Sequence, residues 1–405
     1  MAEPIRRRTL LGAATAAGAT ATTVLDGTDA AAATAPSPIG NGVPVESFRQ
    51  AGFTDDQTFA AAFGYAAAQT YKPTLILDAQ EYELSNTYTA YKGLSLFAFG
   101  VEREFESTSS WDSVYCRVYK HGSGPLFTWP STGNFTSMRI SGIQFEGNQS
   151  GGSDFLARTP TGQVYPALAM STFEKCGWKN FESVMLGVNW EGVTLKEFHV
   201  QNCKNTAFKI GGADSFILGG HGFLDSQSLS GVPMFWLTDM TATIVSDLYV
   251  TPTGAGCAIR YDAGSMTQFR NLILDSASQN GQAAVCHGSL IQINGGSSTI
   301  MGGRLHGCMV DPAATDDGAT RHKGYITVNG GQTAIIGTAF CDGADRSAGG
   351  SSADYTPAHT PHVYAQAGAR VITRGLLSVR NNPLVITEAT PGLIDCDQPA
   401  ALTVG

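Results

Sequence analysis

The sequence predicts an all-β chain wound as a parallel β-helix and closed at its N-terminal end by a capping helix. Three observations predict it. Glycine supplies 48 of 405 residues and charged residues only 15%, with many short apolar runs and few long helical patterns, as in repeated short strands. One short apolar pattern returns from about residue 136 to the end of the chain. A single capped helical segment precedes the first strands.

Residues 1–35 read as a separate segment. "RRRTLLGAATAAGATATTVL" joins a charged start to an Ala-rich, mildly apolar run, and Arg7-Arg8-Thr9-Leu10-Leu11 resembles the twin-arginine export signal. Ala30 to Ala35 offers small-residue cleavage positions, and the run is too rich in Thr and Gly for a membrane span. The resemblance implies a bacterial protein exported folded and secreted, with no membrane partner once the signal is removed. The segment's three Arg balance Glu3, Asp26 and Asp29, so the net charge of -9 belongs to the remainder. That acidic balance, without a basic patch, disfavours nucleic acid as a partner. The eight cysteines show no CxxC or Cys/His zinc spacing and read as small buried apolar residues.

Residues 36–90 form the expected cap and 91–405 the β-helix with its inserted loops. In "TDDQTFAAAFGYAAAQT" (54–70), Thr54 followed by Gln57 makes a capping box, and Asp55 and Asp56 suit the positive helix end. Phe59, Phe63 and Ala66 or Ala67 supply the apolar stripe. The strands "TLILDA" and "YELSN" follow.

The repeat places apolar residues at a start, three further on and two beyond that. It reads Ile140, Ile143, Phe145; Phe173, Cys176, Trp178; Leu195, Phe198, Val200; Leu218, His221, Phe223; Val245, Leu248, Val250; Phe269, Leu272, Leu274; Ile300, Gly303, Leu305; and Ile372, Gly375, Leu377. A further copy lies in "IIGTAFC" (335–341), with its start at Ile335 or Ile336. The shortest step, about 22 residues, is one compact coil. The two residues after each start, polar or Gly in most copies, fit a tight bend between two strands. A repeat that cannot bury its apolar face alone must stack on its neighbours.

"FTDDQTFAAAFGYAAAQTYKPTLILDAQEYELS" resembles the opening segment of the pectate-lyase-like superfamily, which includes polygalacturonase-related hydrolases and phage tailspikes. The resemblance covers about 35 residues by motif and the rest by repeat pattern. It implies a right-handed coil. It says little about chemistry, because this fold hosts hydrolases, lyases, esterases and binders. Tailspike-like relatives are commonly trimers, which leaves room for a homotrimer.

In this register the fourth and sixth residues after each start point outward. They include Gln144 and Glu146, His199 and Gln201, Tyr249 and Thr251, Ile273 and Asp275, and Arg304 and His306. Phe340 and Asp342 follow if the last of these copies starts at Ile336. Neighbouring coils lie about 4.8 Å apart, so Asp275 is expected one coil from His306, with Asp342 one coil beyond. Long insertions leave these same strands at 275–289, 306–324 and 341–359, and could wall a cleft. The second carries Asp316, Asp317, Arg321 and His322.

These residues point to cleavage of a polysaccharide. Glycoside hydrolysis needs two carboxyl groups across the scissile bond, about 6.5–9.5 Å apart in inverting enzymes. Asp275 and Asp342 are the expected pair, with His306 bonded to a carboxylate. Arg304, His199, Tyr249, Glu146, Asp316, Asp317, Arg321 and His322 are the expected substrate-binding groups. The hydrolase reading needs no cofactor and no metal. A lyase reading would use a basic residue as proton acceptor, with Ca2+ held by the loop acids. A third reading is a tailspike-like adhesin that binds glycans on aromatic platforms such as Trp129, Trp190 and Tyr249. Gly220-His221-Gly222 matches one polygalacturonase motif, but its partner motifs are missing, and the register points His221 inward.

Overall fold

The coil is built from three short strands, and its corners are set by single residues. The computed structural model describes residues 41–99, 116–130, 136–160, 168–223, 233–251, 257–275, 289–306, 324–341, 361–379 and 384–404. Each strand pairs in parallel with its counterpart in the next coil. Ile140 lies against Phe173, Phe173 against Leu195, Leu195 against Ile217 and Ile217 against Val245. Three faces result. The first begins at those residues, the second follows after a bend, and the third closes the coil. The first two run together as one 21-stranded network and the third is a 13-stranded sheet. The whole is a right-handed parallel β-helix, the hand that crossovers between parallel strands adopt.

The bend between the first and second faces recurs two residues after the first inward residue. Gly142, Lys175, Glu197, Gly219, Asp247, Asn271, Gly302, Gly337 and Gly375 all have φ between 50 and 75° there. Left-handed backbone turns the chain in one step. Gly303 is held more tightly still. Its φ is 82°, and a Cβ would stand 2.4 Å from the Leu272 carbonyl oxygen. No other residue fits beneath Arg304.

Inward residues of successive coils make one continuous core. Its middle is aromatic: ring centroids are 4.8 Å apart for Phe145–Phe155, 5.5 Å for Phe155–Trp178, 5.8 Å for Trp178–Phe208 and 5.2 Å for Phe208–Phe235. Large rings in near contact remove much apolar area from water per residue. The six described cysteines are unpaired, and five of them are buried. No described helix is long and apolar enough to cross a membrane.

The open end is covered as the sequence predicts. Asp55–Ala68 is the α-helix, capped by a reciprocal Thr54–Gln57 box, with Phe59, Phe63 and Ala66 buried beneath it. Its acids do more than complement the helix end. Asp55 Oδ2 accepts from the Glu83 amide at 2.7 Å. Asp56 accepts from the Ser85 and Asn86 amides and, at 2.6 Å, from the Tyr88 hydroxyl. The helix is thereby fastened to the first coil.

Three copies of the repeat stand one residue from the expected register. Ile217 is the inward start of its copy, so Gly220 is the next inward residue and His221 faces outward, against His199 and Tyr249. Ile300 pairs with Ile335, which makes Phe340 a fully buried core residue and Cys341 the outward one. Ile335 in turn pairs with Thr373, so Leu376 is buried, whereas Ile372 and Leu377, expected inside, are exposed.

Asp56→Ala leaves two backbone amides and a phenol without their acceptor, a loss of about 1–3 kcal/mol. Hydrogen exchange is expected to accelerate across 55–90 while the coils beyond residue 170 keep their protection, because each coil contacts only its neighbours. Uniform acceleration along the chain would contradict this stepwise stability.

Candidate active site

The outward positions of the second face form two rows. One contains Gln144, Gly177, His199, His221, Tyr249, Ile273 and Arg304, each paired with the next. The other contains Glu146, Lys179 and Gln201, and further along Asp275, His306 and Cys341.

Asp275 and His306 meet in this second row. They end the strands Ile273–Asp275 and Arg304–His306, which pair directly. His306 Nδ1 lies 2.9 Å from Asp275 Oδ1. An ionised carboxylate only accepts hydrogen bonds, so Nδ1 donates and Nε2 is left as an acceptor. Asp275 is buried and His306 half-buried, which limits solvent screening of their interaction. Leu305 between them points into the core, while Arg304 is exposed on the same outward side as His306. An acceptor nitrogen whose other face is fixed by a carboxylate is a device for taking up a proton.

The second expected carboxyl group is not in this row. His306 pairs with Cys341, so the position two coils from Asp275 holds a thiol, and the register that would have put Asp342 there is displaced by one residue. Asp342 itself lies outside the described residues, as do Asp316, Asp317, Arg321 and His322. The three insertions begin directly after Asp275, His306 and Cys341.

The remaining expected residues are dispersed. Glu146 lies in the same row but five coils from Asp275, about 24 Å at 4.8 Å per coil. Its Oε1 accepts from Asn180 Nδ2 at 2.8 Å, so it secures a corner. His199 is buried in the other row. His221, misassigned to the core by the sequence register, joins it there, and its ring stands 5.5 Å from that of Tyr249. Trp129 and Trp190 are core residues, not platforms. Trp129 Nε1 donates to the Ala157 carbonyl at 3.0 Å. Among the described residues no group of acids, histidines or cysteines is arranged to hold a metal. Two shallow depressions of about 480 and 440 Å³ lie on the first face, one lined by Arg139 and Glu174 and the other by Arg370 and Asp395. Neither reaches Asp275 or His306.

One carboxyl group titrates unusually. Burial, reinforced by the Glu182 carboxylate, pushes Asp154 up to about 6, although the Ser183 amide donates to it at 3.0 Å. A carboxyl raised in the folded state adds stability below its unfolded pKa, near 4, and that contribution is lost as pH rises through the folded value. Asp154→Asn keeps an acceptor for Ser183 and removes the buried charge. It is expected to raise Tm at pH 7–8 and to leave it nearly unchanged at pH 4. A fall in Tm at pH 8 would contradict this.

No protein-family model matches the chain, and no curated protein matches it either. Solved structures do. DFA-IIIase from Arthrobacter chlorophenolicus A6 without its lid, in complex with GF2, superposes with a TM-score of 0.59 at 12% identity, covering 90% of this chain and 98% of that one. The same enzyme without its lid and without that ligand gives 0.49 at 13% identity, with the same coverage. The catalytic domain of a GH87 alpha-1,3-glucanase in complex with nigerose gives 0.46 at 13% identity, covering 88% of this chain and 67% of that one. At such identities the likeness concerns the fold. Together the fold and the Asp275–His306 pair define a parallel β-helix with one candidate proton-transfer centre on its second face.

Proposed function

We propose that the chain is a polysaccharide-cleaving enzyme, a glycoside hydrolase whose reaction centre is built on Asp275 and His306. The observation that carries the reading is the 2.9 Å contact between His306 Nδ1 and Asp275 Oδ1, at the strand ends from which the long insertions depart. His306 Nε2 accepts the proton of the attacking water, and Asp275 stabilises the imidazolium that forms. The leaving oxygen needs a proton donor within about 6.5–9.5 Å of the base in an inverting reaction. Glu146 is too distant, so the donor comes from the insertions, where Asp316, Asp317 and Asp342 stand in sequence. The reading agrees with the fold's likeness to an enzyme, DFA-IIIase. Export of the chain by its twin-arginine-type segment remains part of the proposal.

Arg304 favours a second reading. It is exposed, two residues from His306 and on the same outward side. It could hold a uronate carboxylate while His306 takes the neighbouring proton, which is lyase chemistry. The glycan-binder reading loses two of its three platforms, because Trp129 and Trp190 are buried.

A panel of neutral and uronate-rich polysaccharides, followed by reducing ends and by ultraviolet absorbance together, separates these readings. Reducing ends alone mean hydrolysis, and both signals mean elimination. Asp275→Asn and His306→Ala are each expected to lower kcat about 100-fold or more, the usual scale of a lost acid–base group, with circular dichroism unchanged. Full activity in both variants would remove the site. Release of neither product from any polymer would leave a binding protein.

A further inference from the structure

The third face carries charges that the reaction centre does not use. Its outward positions stack as Lys209, Trp236, Arg260, Gln292 and Thr327 on successive coils. Lys209 Nζ lies 3.5 Å from the Trp236 ring centroid and Arg260 Cζ 4.2 Å from it. The indole thus holds two cations. Asp262 fixes the arrangement: it accepts from Trp236 Nε1 at 2.6 Å, from Arg260 Nε at 2.7 Å and from Asn294 Nδ2 at 2.7 Å.

That leaves Lys209 without a counter-charge. It makes no ion pair among the described residues. Burial pushes its ammonium below the ordinary lysine value, Arg260 and Arg158 push the same way, and Asp262 alone opposes them. Three cations therefore share one carboxylate, already engaged, in a chain of net charge -9. The rung beyond Arg260 gives an independent sign. Gln292 is fully buried, yet neither its Oε1 nor its Nε2 has a hydrogen-bond partner among the described residues. A buried amide in that state is costly unless something binds it.

We propose that this strip is a binding site for an acidic polysaccharide, with a uronate carboxylate on Lys209 and sugar hydroxyls on the Gln292 amide. The two groups are three coils apart, about 14 Å along the axis, a span suited to an extended polymer. A carboxylate answers the unpaired ammonium, and hydroxyls both donate to and accept from an amide. The inference rests on the polysaccharide reading above and adds to it the charge of the polymer and a holding site apart from Asp275 and His306.

The test is electrophoretic retardation of the full chain carrying Asp275→Asn, in gels containing polygalacturonate, dextran sulfate or dextran. Polygalacturonate is expected to retard it strongly and dextran not at all. Lys209→Met is expected to weaken the apparent affinity about tenfold, the scale of one charge-assisted hydrogen bond. Gln292→Leu is expected to weaken binding while raising Tm, a combination that a purely structural glutamine would not give. Retardation by dextran sulfate alone would replace the carboxylate by a sulfate ester and overturn the proposal. So would equal retardation by dextran, no retardation by polygalacturonate, or unchanged affinity in Lys209→Met, which decides the matter if Gln292→Leu does not fold. Retardation by polygalacturonate without cleavage of any polymer keeps this site and removes the hydrolase. Cleavage of a neutral polymer without that retardation does the reverse.

Discussion

Each coil of this chain must offer its backbone to the next in the same parallel register, and every other property depends on that constraint. Corners then fall above corners, and a residue at a given offset from a corner always meets its counterpart one coil away. The left-handed residue that opens each second-face strand enforces the alignment. Lys175 and Glu197 accept the unfavourable backbone there, with φ of 54 and 50°, because abandoning it would break the ladders on both sides.

The same constraint makes chemistry from ordinary sequence. Asp275 and His306 are 31 residues apart and touch because both end the same strand of consecutive coils. Chain length between them is free to vary, since an insertion at the corner disturbs neither ladder. Gly303 allows Arg304 and His306 to sit at their height, close over Leu272. The third face follows the same rule in Lys209, Trp236 and Arg260, whose stacking needs only equal offsets in three coils. The cap is the exception. It has no coil beyond it, so Asp55 and Asp56 supply the acceptors that another coil would have provided.

Much of this was legible in the sequence. The coil, the capping box and the Asp275–His306 juxtaposition follow from a repeat of apolar residues and a rise of about 4.8 Å. The register failed where an apolar doublet offered two starts. Ile217-Leu218, Ile335-Ile336 and Ile372-Thr373 each allow a slip of one residue, and one residue exchanges inside for outside. Glycine at an inward position (Gly220) and threonine at another (Thr373) hid the correct choice. The corner offered a better guide. A Gly, Asn or Asp two residues after the start picks out Gly219, Gly337 and Gly375, and with them the register that turns His221 outward and puts Cys341 above His306. The third face was missed for another reason: its strands lie outside the apolar repeat, and only Asp262, reaching both Trp236 and Arg260, shows that they act together.

The central claim is that Asp275 holds His306 with its proton on Nδ1 and its acceptor turned to substrate. Nitrogen-15 spectra of the histidine side chains test this most directly, at a pH where His306 is neutral. The account predicts the Nδ1-protonated tautomer for His306, and its loss or mixing in Asp275→Asn. An Nε2-protonated His306 that ignores the substitution would contradict it.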